Sequence, residues 1–189
     1  MTQQDLLNRL ETELRSQLAE VRTRFVPLRP DMLLQRPNPE TWNVVECIAH
    51  LNQYADDYLP LLQRAIHRAK ARRWAPADPV RYTARGNRLI RRANPENGKS
   101  FKASKRYNFS HQPVGVEVLK AFIIKSEQLL RVIQAAREVD INRAMVPKAG
   151  AWFGQFTLGN LLEFLVLHTR RHIAQAAALL HLETAAHPA

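Results

Sequence analysis

The chain has 189 residues, a formal net charge of +11 and one cysteine, Cys47. This length suits one domain with its own hydrophobic core, so we expect residues 1–189 to form a single domain. A lone cysteine excludes an intramolecular disulfide. The N-terminus is polar, and no apolar stretch approaches the roughly 20 residues that cross a bilayer, so we expect a cytoplasmic protein without a membrane segment.

The positive charge is concentrated in one segment of the chain. Residues 64–106 contain 14 of the 28 Lys and Arg and only two acidic residues, Asp78 and Glu96, which gives a net charge of +12. The rest of the chain is close to neutral. A basic segment of this kind indicates either a solvated connection or a surface that binds nucleic acid or another anionic partner.

Two amphipathic helices are predicted in the first part of the chain. Apolar residues recur at three- and four-residue steps from about residue 4 to 25, and Pro27 and Pro30 end this helix. Asn43 begins the second helix, because Asn43 and Glu46 have the spacing of a capping box. The second helix extends to about residue 73, and Pro60 inside it predicts a kink.

A long connection and two more helices follow. Prolines and charges at about 74–112 predict a connection, in which apolar residues such as Leu89 and Phe101 pack on the body in places. The third helix is predicted at about 114–138, and the fourth begins at Thr157. No segment alternates convincingly with a period of two. The sequence therefore predicts an all-α, four-helix bundle with a long connection from helix 2 to helix 3.

Two histidines occupy inward-facing positions of the fourth helix where the pattern calls for leucine. The inward stripe consists of Leu161, Leu165, His168, His172, Gln175 and Leu179. His168 and His172 are four residues apart, so their imidazoles share one helix face and can bind one cation. His50, beside the inward stripe of the second helix, offers a third imidazole. The alternative interpretation is a set of buried histidines that are satisfied by hydrogen bonds.

Other polar residues are candidates for a supporting role. Gln175, one turn beyond His172, either hydrogen-bonds a ligand or orients the histidines, or else fills the core. Gln53 and Asp57 lie roughly on the His50 face of the second helix. We expect Cys47 to make an apolar contact with Trp42 rather than to bind metal. The remaining histidines are expected in solvent: His67, His111, His181 and His187. No carboxylate stands at ligand spacing, so no general base is predicted.

Two stretches of the sequence resemble motifs of the DinB-like superfamily. Residues 42–51 read WNVVECIAHL and resemble its helix-two motif, while TLGNLLEF at 157–164 and HTRRHIAQ at 168–175 resemble its helix-four motif. The motifs occur in the right order, and the resemblance spans nearly the whole chain. It implies a DinB/YfiT-like bundle of the up-up-down-down type, with a divalent metal ion bound by His50, His168 and His172.

The resemblance also implies a class of activity. Family members with known activity include metal-dependent thiol transferases and related isomerases. We therefore expect a metal-dependent enzyme of the hydrolase or thiol S-transferase type, which activates water or a low-molecular-weight thiol and acts on a small, anionic or thiol-bearing substrate. Zn or Ni is the expected ion, although three imidazoles also suit Cu and Fe.

The basic segment supports an alternative function in binding, and the resemblance bears on the oligomeric state. A non-catalytic protein would use residues 64–106 to bind nucleic acid, without sequence specificity, or another anionic partner. A homodimer is also expected from the resemblance, because members of the family often form dimers. No helix, however, has an apolar stripe that is clearly surplus to the core.

Overall fold

The computed structural model describes residues 1–97, 102–110, 112–150 and 154–186, with side chains described up to residue 180. In chain order, the longer elements are α1 (Gln3–Glu20), which continues as a π-helical turn (Val21–Phe25), α2 (Pro30–Leu34), α3 (Val44–Ala71), α4 (Ala84–Ala93), α5 (Val118–Ala136), β1 (Met145–Pro147), β2 (Gln155–Thr157) and α6 (Leu158–Ala186). Short 3-10 turns lie at Pro95–Asn97 and Lys105–Tyr107. The fold is helical, as predicted.

The first two long helices begin with capping boxes. Thr2 Oγ1 accepts a hydrogen bond from the Asp5 amide at 3.0 Å, and the Asp5 carboxylate accepts from the Thr2 amide at 3.1 Å. At the start of α3, Asn43 Oδ1 accepts from the Glu46 amide at 2.8 Å, and Glu46 Oε2 accepts from the Asn43 amide at 2.9 Å. Both boxes satisfy amides that the first helical turn leaves unpaired. The predicted start of the second helix is confirmed, and Pro60 lies inside α3, which is continuous.

The apolar stripe predicted for the first helix is buried in the core. Its members Leu7, Leu10, Leu14, Leu18, Val21 and Phe25 are all at most 4% exposed. They pack with buried residues of the other long helices, including Leu62, Ile133 and Leu161. Each such side chain contributes roughly 1.5–3 kcal/mol through burial. No helix in the described ranges is both long and apolar enough to cross a membrane.

Contacts near the helix ends give the directions of α1, α3 and α5. The Gln3 side chain, at the start of α1, donates to the carbonyl of Val139, just beyond the end of α5, at 2.9 Å. These two helices are therefore antiparallel. Asn52, early in α3, donates to the carbonyl of Val118 at the start of α5 at 2.9 Å. Hence α3 and α5 are parallel neighbours.

The direction of α6 corrects the expected topology. His50 lies beside His172 of α6, whereas Tyr54, one turn later in α3, lies beside Phe164 of α6. Since α3 and α6 are thus antiparallel, the long helices run up, down, down, up in chain order, and not up-up-down-down. The physical reason is that only the connection from α3 to α5 crosses the length of the bundle.

The connection after α3 contains a helix, α4, that is not apparent from the sequence pattern. Thr83 caps it, because the Thr83 hydroxyl accepts from the Gly86 amide at 3.0 Å. Gly86 and Ala93 are buried in α4, and Leu89 and Ile90 are half-buried against the core, so its inward stripe is short and contains only two large apolar residues. Arginines occupy much of its exposed side. The basic residues of this segment therefore lie partly on a helix, which corrects the expectation of a plain connection.

The two short strands and the short helix α2 were not predicted from the sequence either. β1 and β2 form an antiparallel hairpin in which Val146 pairs with Phe156, and β2 leads directly into α6. Three residues are too few to show an alternating pattern. Pro30, which was predicted to follow the end of helix one, is the first residue of the five-residue helix α2, where its missing N–H has no cost.

Candidate metal centre

Three imidazole rings meet between α3 and α6. His50 Nε2 lies 3.2 Å from His168 Nε2, which lies 3.1 Å from His172 Nε2. One ligand atom from each residue lies within 4.8 Å of the other two. All three residues are at most 8% exposed. The structure therefore brings together the three histidines that the sequence singles out.

Helix periodicity explains how the rings converge. His168 and His172 stand on successive turns of α6 and share the face that packs on α3. His50 stands two turns into α3, where the capping box at Asn43 and Glu46 fixes the register of the helix start. Because α3 and α6 are antiparallel, the early part of α3 lies beside the middle of α6.

The outer nitrogens of two rings determine where their protons lie. His50 Nδ1 is 2.7 Å from the carbonyl oxygen of Tyr107, which can only accept, so His50 Nδ1 carries the proton. His172 Nδ1 is 3.0 Å from Gln175 Oε1 and donates to it in the same way. Both rings therefore direct an Nε2 lone pair at His168. One proton on His168 Nε2 cannot serve both, so this donor set fits a bound cation.

Burial keeps the rings neutral. It lowers the pKa of His50 to about 4 and the pKa of His172 to about 3. For His168, burial lowers the pKa well below its usual range, and the positive charge that His172 and His50 would carry lowers it further. Neutral imidazole is the form that binds metal, so all three rings are ready as ligands at neutral pH.

An aromatic wall surrounds the histidines. The centroid of the Trp42 ring lies 4.9 Å from that of His50 and 5.9 Å from that of His172. The Tyr54 ring lies 4.4 Å from the His168 ring, and Phe164 stacks on His168 at 5.2 Å. These residues limit the access of water. None of them was predicted as a site residue, although Tyr54 and Phe164 each stand one turn from a histidine of the cluster.

Asp57 and Gln53 support the site indirectly, through hydrogen bonds that hold Tyr107. Asp57 accepts hydrogen bonds from the Tyr107 hydroxyl at 2.7 Å, from Arg106 Nε at 2.8 Å and from Gln53 Nε2 at 3.1 Å. Burial alone would raise the pKa of Asp57, but the hydrogen bonds from Arg106 and Tyr107 outweigh it and lower the pKa. Asp57 thus fixes the turn whose backbone carbonyl orients His50. The acceptor is a backbone atom, so no side-chain pattern revealed it.

A second set of contacts holds the same part of the connection. Trp42 Nε1 donates to Ser110 Oγ at 2.7 Å, while Arg36 donates to the Ser110 carbonyl at 2.9 Å and also pairs with Glu46 of the capping box. Residues on both sides of Tyr107 are therefore tied to α3 or to the chain just before it.

The other candidates lie outside the cluster. Cys47 is buried in the core, and burial raises the pKa of its thiol to about 12. His67 is exposed. Other residues of the sequence analysis fall outside the described residues: Phe101, His111, His187 and the side chain of His181. Within the described ranges, no carboxylate or thiol joins the three histidines.

The fold and the site together define a helical-bundle protein with a buried three-histidine cluster that can hold a metal ion. The sequence profile of the DinB superfamily matches residues 13–176, and the chain belongs to this superfamily, which is metal-binding. Comparison with the curated proteins and with the solved structures gives no match. The predicted family is confirmed.

Proposed function

We propose that the protein is a divalent-metal-dependent enzyme in which His50, His168 and His172 bind the ion. The observation that carries this proposal is the convergence of three neutral imidazoles, two of which direct Nε2 lone pairs at the third. Nitrogen donors of this type suit Zn or Ni. A divalent ion with three protein ligands supplies an open position that lowers the pKa of a bound water or thiol.

The residues around the cluster supply orientation and a dry environment. Hydrogen bonds to the Tyr107 carbonyl and to Gln175 hold the His50 and His172 rings in one tautomer. The rings of Trp42 and Tyr54 exclude water from the histidines, which strengthens electrostatic interactions at the site.

Activation of a low-molecular-weight thiol is favoured over hydrolysis. No carboxylate among the described residues joins the cluster, and Asp57 already accepts from Arg106 and Tyr107. A thiol, with a pKa of about 8.5, needs much less help to lose its proton than water, with a pKa of about 15.7. A site without a base of its own is thus better suited to a thiol S-transferase than to a hydrolase.

Positive charge near the cluster supports an anionic substrate. Arg171 stands next to His172 and lowers the pKa of both His168 and His172. Its guanidinium donates to the carbonyl of Arg92 in α4 at 3.0 Å. Arg92 in turn is close enough to Tyr54 to lower the pKa of its hydroxyl, although burial raises that pKa overall. Two guanidinium groups near one site favour a small molecule that carries a carboxylate or phosphate.

Elemental analysis tests the metal site first. Protein purified without a metal-affinity tag should contain about one divalent ion per chain, and His168→Ala should contain none. His67→Ala is the matched control, because His67 is exposed and outside the cluster, and it should keep the ion. Absence of metal in the wild type, or metal retained by His168→Ala, would contradict the proposal.

Cobalt substitution separates the two reaction types. Adding a small thiol such as cysteine to the Co(II) protein should produce a sulfur-to-cobalt charge-transfer band, because the thiol takes the open position as a thiolate. A Co(II) spectrum that responds to pH but not to thiols would instead favour activation of water and a hydrolase.

A further inference from the structure

His168 differs from its two neighbours in its outer nitrogen. His50 and His172 each have an acceptor at Nδ1, whereas His168 Nδ1 is buried and has no hydrogen-bond partner among the described residues. Buried polar atoms of proteins are almost always paired with protein or with ordered water. The ring at the centre of the cluster therefore lacks the partner that would fix its tautomer.

A small, partly open cavity adjoins His168 on the side of α5. Its volume is about 30 Å³, and its polar wall includes Asn52, Lys125, Ser126, His168 and Thr169. Asn52 Oδ1 is likewise buried without a partner. Three buried side-chain atoms in the described ranges lack a partner, and two of them belong to residues that line this one cavity.

The cavity and the Asn52 amide suit a water molecule. A water needs about 10–15 Å³ of such space together with at least two polar partners, and the cavity provides both. The orientation of the Asn52 side chain is set by its Nδ2, which donates to the Val118 carbonyl at 2.9 Å. The amide oxygen of Asn52 is therefore left as an acceptor for a ligand in the cavity.

We propose that an ordered water molecule in this cavity accepts a hydrogen bond from His168 Nδ1 and donates one to Asn52 Oδ1. Asn52 is then a positioning residue for His168. The bridge keeps the proton on Nδ1 and leaves the Nε2 lone pair facing His50 and His172, which gives all three rings the tautomer that binds a cation. The role of Asn52 in metal binding rests on the proposed function, whereas the tautomer does not.

The first test uses the metal-free wild-type protein. Imidazole ¹⁵N–¹H correlation spectra should show the His168 proton on Nδ1, and a nuclear Overhauser effect should connect that proton to a long-lived water. A proton on Nε2, or an Nδ1 proton without a water contact, would overturn the proposal. This measurement needs no substitution and no metal, so it decides the proposal even if the chain binds no ion.

The second test measures metal affinity in two matched variants. Asn52→Leu keeps a branched side chain of similar length but removes the acceptor, and it should weaken Zn binding about 10- to 100-fold by chelator competition. Gln17→Met is the control, because Gln17 Oε1 is the third buried atom without a partner and does not line the cavity. The control should bind Zn within about twofold of wild type.

The outcomes of the variant test separate the two proposals. Wild-type affinity in Asn52→Leu, or an equal loss in both variants, would overturn the positioning role of Asn52 and leave the metal site standing. Failure of the wild type to bind Zn would refute the proposed function, and the tautomer of His168 would still decide the water bridge. If Asn52→Leu does not fold, the wild-type spectra remain decisive.

Discussion

His50 Nδ1 lies 2.7 Å from the carbonyl oxygen of Tyr107, so the α3 ligand of the candidate metal centre is oriented by the backbone of the connection between α3 and α5. The Tyr107 hydroxyl donates a hydrogen bond to Asp57, which lies about two turns beyond His50 in α3. The connection is thus part of the site through its backbone. Among the described residues, no side chain of the connection forms a hydrogen bond with a histidine nitrogen of the cluster.

Replacing Asp57 by Asn should weaken metal binding without unfolding the protein. The change removes the charge that holds Arg106 and the acceptor strength that holds the Tyr107 hydroxyl, so the carbonyl that orients His50 becomes mobile. We expect about a tenfold loss of Zn affinity, as is typical when an outer hydrogen bond to a ligand is lost. Isothermal titration with a competing chelator measures it.

Asp56→Asn is the matched control for this experiment. Asp56 is the neighbouring residue, but it is exposed and pairs with Lys125 instead of the connection. Its replacement should change Zn affinity less than twofold, because exposed ion pairs contribute little. Equal losses in both variants would show that Asp57 acts through the general charge of α3 and not through Tyr107.

Metal should stabilise the folded protein by mass action. At 100 times its dissociation constant, an ion that binds only the folded state adds about 2.7 kcal/mol to the free energy of unfolding. His168→Ala should abolish this gain and remain helical by circular dichroism, because the core along α1 is formed by other residues. A metal-free wild type that is already unfolded would show instead that the ion is required for folding.

The metal-free protein should lose stability in mild acid. Burial lowers the pKa of His50 to about 4, below the roughly 6.5 of the unfolded chain, so the unfolded state binds protons first as the pH falls. This contribution to stability is complete above pH 6.5 and is lost as the pH falls from there towards 4. For His50 alone the loss by pH 5 is about 2 kcal/mol. Urea unfolding in the presence of a chelator at pH 7 and pH 5 measures it.

Two substitutions distinguish the buried cluster from other acid effects. His50→Gln should make the dependence of the unfolding free energy on pH less steep, because only His168 and His172 of the cluster remain. His67→Gln should leave the dependence unchanged, since His67 is exposed. The same slope in all three proteins would mean that carboxylates and not the imidazoles cause the loss.

The basic segment should bind nucleic acid weakly and without sequence preference. Arg88, Arg91 and Arg92 lie on the exposed side of α4. Their charges would attract phosphates and release counterions, whatever the base sequence. Replacing all three by Gln should remove most of the binding to a DNA duplex seen at low salt and leave metal content unchanged. Binding of one sequence a thousandfold more tightly than scrambled DNA at physiological salt would favour the nucleic-acid alternative.

Sequence periodicity sufficed for the four long helices and for the shared face of His168 and His172, whereas the three-histidine site with His50 was implied by the resemblance to the DinB-like superfamily. The reason is that His168 and His172 interrupt a regular apolar stripe, while the start of α3 is marked by a capping box. Helix α4 was not predicted because its inward stripe is short and is interrupted by arginines and flanked by prolines. Its register depends on Asn160, which is distant in sequence.

The outer contacts of the histidines could be predicted only in part. Gln175 follows from helical spacing, since it stands three residues after His172 on the same helix. The Tyr107 carbonyl and the cavity beside Asn52 depend on where a long connection and a third helix pack, which local sequence does not specify. The directions of the helices were predicted wrongly, because they depend on which connection crosses the bundle and local sequence does not specify this.

Gly86 packs directly against the side chain of Asn160, which leaves no room for a side chain at position 86. A Cβ atom built on Gly86 would lie 2.0 Å from Asn160 Oδ1, the atom that accepts from the Thr83 amide and hydroxyl. Any larger residue at position 86 therefore demands a smaller or displaced one at position 160. The two positions should therefore change together, because a substitution at either one also disturbs the hydrogen bonds that hold Thr83 before α4.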